Sequence, residues 1–86
     1  MNINFIIDGL SSIDHPGIKY GVLSDLEQLF VDQAFFSDEE LYEALEFQAE
    51  VLDCVTDWPS HVLPPNEKLL VHSAAYALRS LKNLSR

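Results

Sequence analysis

Positive charge is scarce in this chain. Five Lys and Arg stand against fourteen Asp and Glu in 86 residues, a formal net charge of −9, and no Lys or Arg occurs between Lys19 and Lys68. A chain of this sign is repelled by DNA, RNA and anionic lipid, so neither direct nucleic-acid binding nor attachment to a membrane surface is expected. Cysteine is nearly absent as well. Cys54 stands alone and can form no internal disulfide, so packing or self-association must hold the fold, and the composition suits a reducing cytoplasm. Long apolar runs are also missing. Phe5 to Ile7 is interrupted by Asp8 and no basic segment precedes it, so neither a signal peptide nor a membrane-spanning helix is expected.

The same poverty excludes most chemistry. Gly9, Gly17 and Gly21 lack the order of a phosphate-binding loop, and no Lys-Ser or Lys-Thr pair follows them. His15, His61, His72 and Cys54 include no close pair with zinc-ligand spacing, so no metal and no other cofactor is expected. A Cys54 nucleophile served by a histidine would need a cleft and an oxyanion hole, for which so short a chain has little room beside a core. Acid and base catalysis by carboxylates needs two groups facing each other across a pocket, and a convex row of acids provides none. The expectation is a binding protein and not an enzyme.

Material for a core is present. With 48% hydrophobic and 10% aromatic residues, the chain lies far from disordered composition and reads as one acidic helical domain spanning residues 1–86. At this size folding buries only about 60–65% of the unfolded surface, so the core is thin. The predicted fold is all-α, a small bundle of three to four helices. Ser37-Asp38-Glu39-Glu40 has the form of a capping box and opens a helix over about 38–57, with Leu41, Ala44, Leu45, Gln48, Leu52 and Val55 at helical spacing. Ala49, Val51 and Cys54 widen that apolar face, and Trp58-Pro59 ends the helix. A second box, Ser24-Asp25-Leu26-Glu27, opens a shorter helix ending near Phe36.

Beyond the prolines at 59, 64 and 65, Asn66 is read as the cap of a last helix reaching about Leu84. There Leu70, Ala74, Ala77, Leu81 and Leu84 form a heptad-spaced line flanked by Val71, Ala75 and Leu78, with Lys68, His72, Tyr76, Arg79 and Asn83 opposite. At the N-terminus, Ile3, Ile6, Ile7, Leu10 and Ile13 fit a helical stripe. The alternative is an α+β fold with a short N-terminal hairpin, strands at 3–7 and 17–22 joined through Asp14-His15-Pro16-Gly17.

Function is suggested by the segregation of charge. Twelve acids fall between Lys19 and Lys68, and Glu39, Glu43, Glu46, Glu50, Asp53 and Asp57 share one face of the long helix over roughly 27 Å of axis. Each like-charge neighbour at this spacing costs about 0.2–0.5 kcal/mol, or roughly 1–2.5 kcal/mol for the row before screening. Asp53 and Asp57 also meet the negative end of the helix dipole. These six acids are the candidate partner-binding site, for docking on a basic protein surface, including one built for nucleic acid. The bland reading is the solvated face of an acidic helix. Arg79, Lys82 and Arg86 are read as complementing the dipole of their own helix.

A competing expectation is a structural or regulatory homo-oligomer, a homodimer for example, assembled through Leu70, Ala74, Ala77 and Leu81, where small side chains allow close helix approach. In kind, a small acidic helical chain resembles the immunity proteins that neutralise bacterial nuclease toxins and phage-encoded inhibitors. The resemblance does not extend to motif, because Tyr20, Tyr42 and Tyr76 are too far apart to supply the paired tyrosines of nuclease immunity proteins. Nor does Ser24-Asp25-Leu26 reproduce the Asp-Ser-Leu of acyl carrier proteins.

Overall fold

The computed structural model describes residues 3–84, and the side chains of residues 3–81. Helix α1 spans Asn4–Ser11, α2 spans Leu23–Asp32, α3 spans Asp38–Thr56 and α4 spans Pro65–Leu84. No strand occurs among the described residues, most of which are helical, so the small all-α bundle is the fold and the N-terminal hairpin is not formed.

The N-terminal stripe explains why. Ile6 and Leu10 share the buried side of α1, and Ile3 and Ile13, just beyond its two ends, are fully buried with them. The Ile3 carbonyl accepts from the amides of Ile6 and Ile7 at 3.0 and 3.1 Å. At the other end the Ser11 and Ser12 hydroxyls donate to the carbonyls of Asp8 and Gly9 at 2.7 and 2.8 Å, which serves acceptors that a helix terminus leaves unpaired.

The supposed hairpin loop is instead a helix start. The His15 carbonyl accepts from Ile18 and Lys19, its Nδ1 accepts from the Gly17 amide at 3.0 Å, and Pro16 occupies the first helical position, where its missing N–H is harmless. The His15 ring also packs on Trp58 with centroids 5.0 Å apart, tying this turn to the far end of α3. From Ile18 to Val22 the helix is wound as a π-turn, and the Leu23 amide bonds back to the Ile18 carbonyl. The inserted residue lets both Val22 and Leu23 face the core. Ser24 therefore caps nothing: the preceding Val22 is already helical at φ −58°, ψ −48° and α2 has no side-chain cap.

After α2 a 3-10 turn at Gln33–Phe35 leads to an extended Phe36 at φ −94°, ψ 145°. The capping box at Ser37 is fully formed, Oγ accepting from the Glu40 amide and Glu40 Oε1 accepting from the Ser37 amide, both at 3.2 Å. Helix α4 begins one residue before Asn66, on Pro65, with the Pro64 carbonyl accepting from Glu67 and Lys68. Proline's locked φ suits the first helical position better than asparagine suits the cap here.

One hydrophobic cluster holds these elements, with Leu45, Ala49, Leu52 and Val55 of α3 set against Val71, Ala74, Ala75 and Leu78 of α4. Leu63, in the turn between them, is also fully buried. The α3–α4 pair is the most intimate packing in the molecule, and α1 lies across α4, whereas α2 and α3 scarcely meet. No helix among the described residues is long and apolar enough to cross a membrane.

Leu52 has no exposed surface, whereas Leu69 is 67% exposed. Leu52→Ala should therefore cost about 2–5 kcal/mol and Leu69→Ala less than about 0.5 kcal/mol. Urea melts of the two variants check this order, and similar losses would contradict the packing.

Candidate functional site

The long helix turns its apolar stripe of Leu45, Gln48, Ala49, Leu52 and Val55 into the protein, and this rotation sets the six acids outward. Glu39, Glu43, Glu50 and Asp57 are exposed, while Glu46 and Asp53 are half-buried on the margin nearest α4. The row is thus real but not uniform. Arg79 of α4 reaches across to it, with Nη2 2.8 Å from Asp53 Oδ2 and 3.5 Å from Glu46 Oε1.

The placement of Arg79 corrects its assignment to the far face of the last helix as a complement to that helix's own dipole. Arg79 follows the fully buried Leu78, so its stem leaves the core seam and its head emerges beside α3. Hydrogen bonding by Arg79 holds the Asp53 carboxyl below its usual range, against the opposing effect of burial. Donating this hydrogen bond to Asp53, in turn, raises the Arg79 pKa. One cation against two carboxylates leaves this trio at a formal charge of −1. Lys68 makes no ion pair with the row among the described residues, and the Lys82 and Arg86 side chains lie outside the described residues.

Cys54 corrects a second expectation. It is exposed, because it stands roughly half a turn around the helix from Leu45 and the apolar face is narrower than the sequence suggested.

The self-association line fares differently along its length. Ala74 is 6% exposed and belongs to the intramolecular core, and Ala77 and Leu81 are half-buried against that core. Leu70 is 39% exposed and borders, with Phe5, Gly9 and Ala77, an apolar recess of about 160 Å³ between α1 and α4. The most deeply buried face of α4 is therefore Val71, Ala75 and Leu78, the residues read as flanks. The Leu84 side chain lies outside the described residues. His61 and His72 are exposed, and the described residues contain no group of three His, Cys, Asp or Glu able to hold a metal ion.

A groove that sequence reasoning missed lies where α2 and α3 diverge. Its volume is about 530 Å³. Asp25 and Asp32 line it from α2 and Glu40 and Glu43 from α3, around apolar walls that include Leu29, Phe36, Ala44 and Phe47. Gln48 lines it too. The Gln48 side chain is only 9% exposed and its Oε1 has no hydrogen-bond donor. The available signal was an amide on the core-facing stripe of α3, a position where an apolar residue is the ordinary choice. Glu43 belongs to both features, so the groove opens beside the acidic row.

No protein-family model, curated protein or solved structure matches this chain.

Because the Asp53 pKa is lowered in the fold, its pairing stabilises above the ordinary aspartate range, and this contribution is lost as pH falls through the lowered folded value. The pair is half-exposed, so Asp53→Asn should cost no more than about 1 kcal/mol at pH 7. Urea melts should show that difference shrinking at about pH 2, below the usual aspartate range. A difference undiminished in acid would assign the loss to something other than the ion pair.

Proposed function

We propose that this protein is a small acidic binding protein, an inhibitor or adaptor of the phage or immunity type, that acts by docking α3 on a basic surface of another protein. The supporting observation is the exposed line Glu39, Glu43, Glu50 and Asp57, set on a rigid helix over roughly 27 Å. These acids repel one another, yet Arg79 reaches only the margin at Glu46 and Asp53. A surface built for nucleic-acid phosphates presents the complementary arrangement of Lys and Arg, and occupying it would exclude nucleic acid. The contribution of Glu46 and Asp53 is smaller, since their charge is shared with Arg79. Binding, not catalysis, is the activity.

Reversal of Glu39, Glu50 and Asp57 to lysine inverts three of the four exposed acids of the row without touching the buried stripe, the Arg79 contacts or the groove. Capture experiments from native host lysate should retain a basic protein on the native chain and lose it on the triple variant. Raising the salt should slow association with the isolated partner, as expected for steering by charge. Equal capture by the native chain and a folded triple variant, judged by circular dichroism, would remove the row as the binding site.

A further inference from the structure

The groove between α2 and α3 has a chemistry of its own. Among the described residues its four carboxylates form no ion pair. Glu40 accepts from the Ser37 amide and Asp32 from the Gln28 side chain at 3.0 Å, which fixes both at the rim. Between them Phe47 is 60% exposed, offering an aromatic surface beside the acids. Beneath lies Gln48, nine-tenths buried, with an oxygen that no donor reaches.

A buried carbonyl oxygen without a donor is unfavourable, and it is relieved by any group that brings an N–H to it. The terminal amide torsion of glutamine is soft, and Gln48 lines the groove, so rotation about that torsion can present the oxygen to it. Four acids repel an anion and favour a cation, and the described residues contain no group of three His, Cys, Asp or Glu able to hold a metal ion. An organic cation with several donors and tolerance of an apolar wall matches this lining best.

We propose that this groove receives an arginine side chain carried on a basic segment of the partner protein. A guanidinium carries five donors in a planar fork, so it can serve the Gln48 oxygen and a rim carboxylate together. Its flat face stacks on aromatic rings such as Phe47, and its weak hydration suits the apolar wall better than that of an ammonium. The proposal rests on the reading of α3 as a surface for a basic partner and deepens it: the exposed row attracts, and the groove selects.

The test uses the full chain and a blocked nine-residue alanine peptide bearing two arginines around a central leucine, with lysine and citrulline versions as controls. In ¹H–¹⁵N spectra the arginine peptide should saturably shift the Gln48 side-chain amide and the Phe47 backbone amide. The lysine version should bind at least about fivefold more weakly, and the uncharged citrulline version should leave these signals in place. Gln48→Leu removes an unpartnered buried polar atom and so should stay folded, but should weaken the arginine peptide about tenfold, equivalent to about 1.4 kcal/mol. Asp32→Asn, a surface change, should weaken it too. Glu50→Lys with Asp57→Lys, outside the groove, should change the groove signals and Gln48→Leu comparison little. Undiminished binding to folded Gln48→Leu, or shifts confined to the exposed row, overturns the groove while leaving the row's role to the lysate experiment. Loss of the lysate partner's dependence on the row, with peptide binding intact, overturns the row alone.

Discussion

The apolar seam between α3 and α4 determines where everything else points. Leu45 and Leu52 on one helix and Val71 and Leu78 on the other are completely removed from solvent, and at about 25 cal/mol per Å² of apolar area such burial outweighs any surface interaction in the molecule. The seam sets the rotation of α3 about its axis, and that rotation alone sends Glu39, Glu43, Glu50 and Asp57 outward. It also sets the height of α4, which brings the residue after Leu78 level with Asp53 and Glu46. The ion pairs are therefore a consequence of the packing. Repulsion along the row, roughly 1–2.5 kcal/mol, is offset only in part by Arg79.

The helices do not close on all sides. The π-turn at Ile18–Val22 directs α2 into the core with α1, while the 3-10 turn and the extended Phe36 swing the chain away before α3 begins. The result is a wedge between α2 and α3 that neither helix fills. Gln48 sits at its base because the same stripe that meets α4 also meets this gap. A leucine there would have been satisfied by packing alone, whereas the amide oxygen remains without a donor. Its position between acids and an exposed phenylalanine links an unpartnered buried oxygen to the charge on the surface.

Local signals were legible where they could be satisfied locally. Ser37 and Glu40 close a capping box through bonds confined to four adjacent residues, so the start of α3 could be read directly. The spacing of Ile3, Ile6, Leu10 and Ile13 likewise reports one buried face. Ser24 carried the same pattern as Ser37 and misled, because Pro16 and His15 had already started the helix upstream. Asn66 yielded to Pro65 for a similar reason. Cys54 and Ala74 show the limit of composition: both are small and apolar, yet one is exposed and the other lies in the core. Arg79 was invisible as a partner of α3 because nothing in a sequence states how far one helix slides along another.

The linear chain determined its sign of charge, its helices and the common face of the six acids, since each follows from residue counts or from spacing within a few turns. The tertiary structure alone decided that Arg79 covers two of those acids, that the heptad line of α4 is partly its own core, and that α2 and α3 leave a groove at Gln48. These depend on the axial offset and divergence of helices far apart in sequence, which packing across the core sets and periodicity along one helix does not encode.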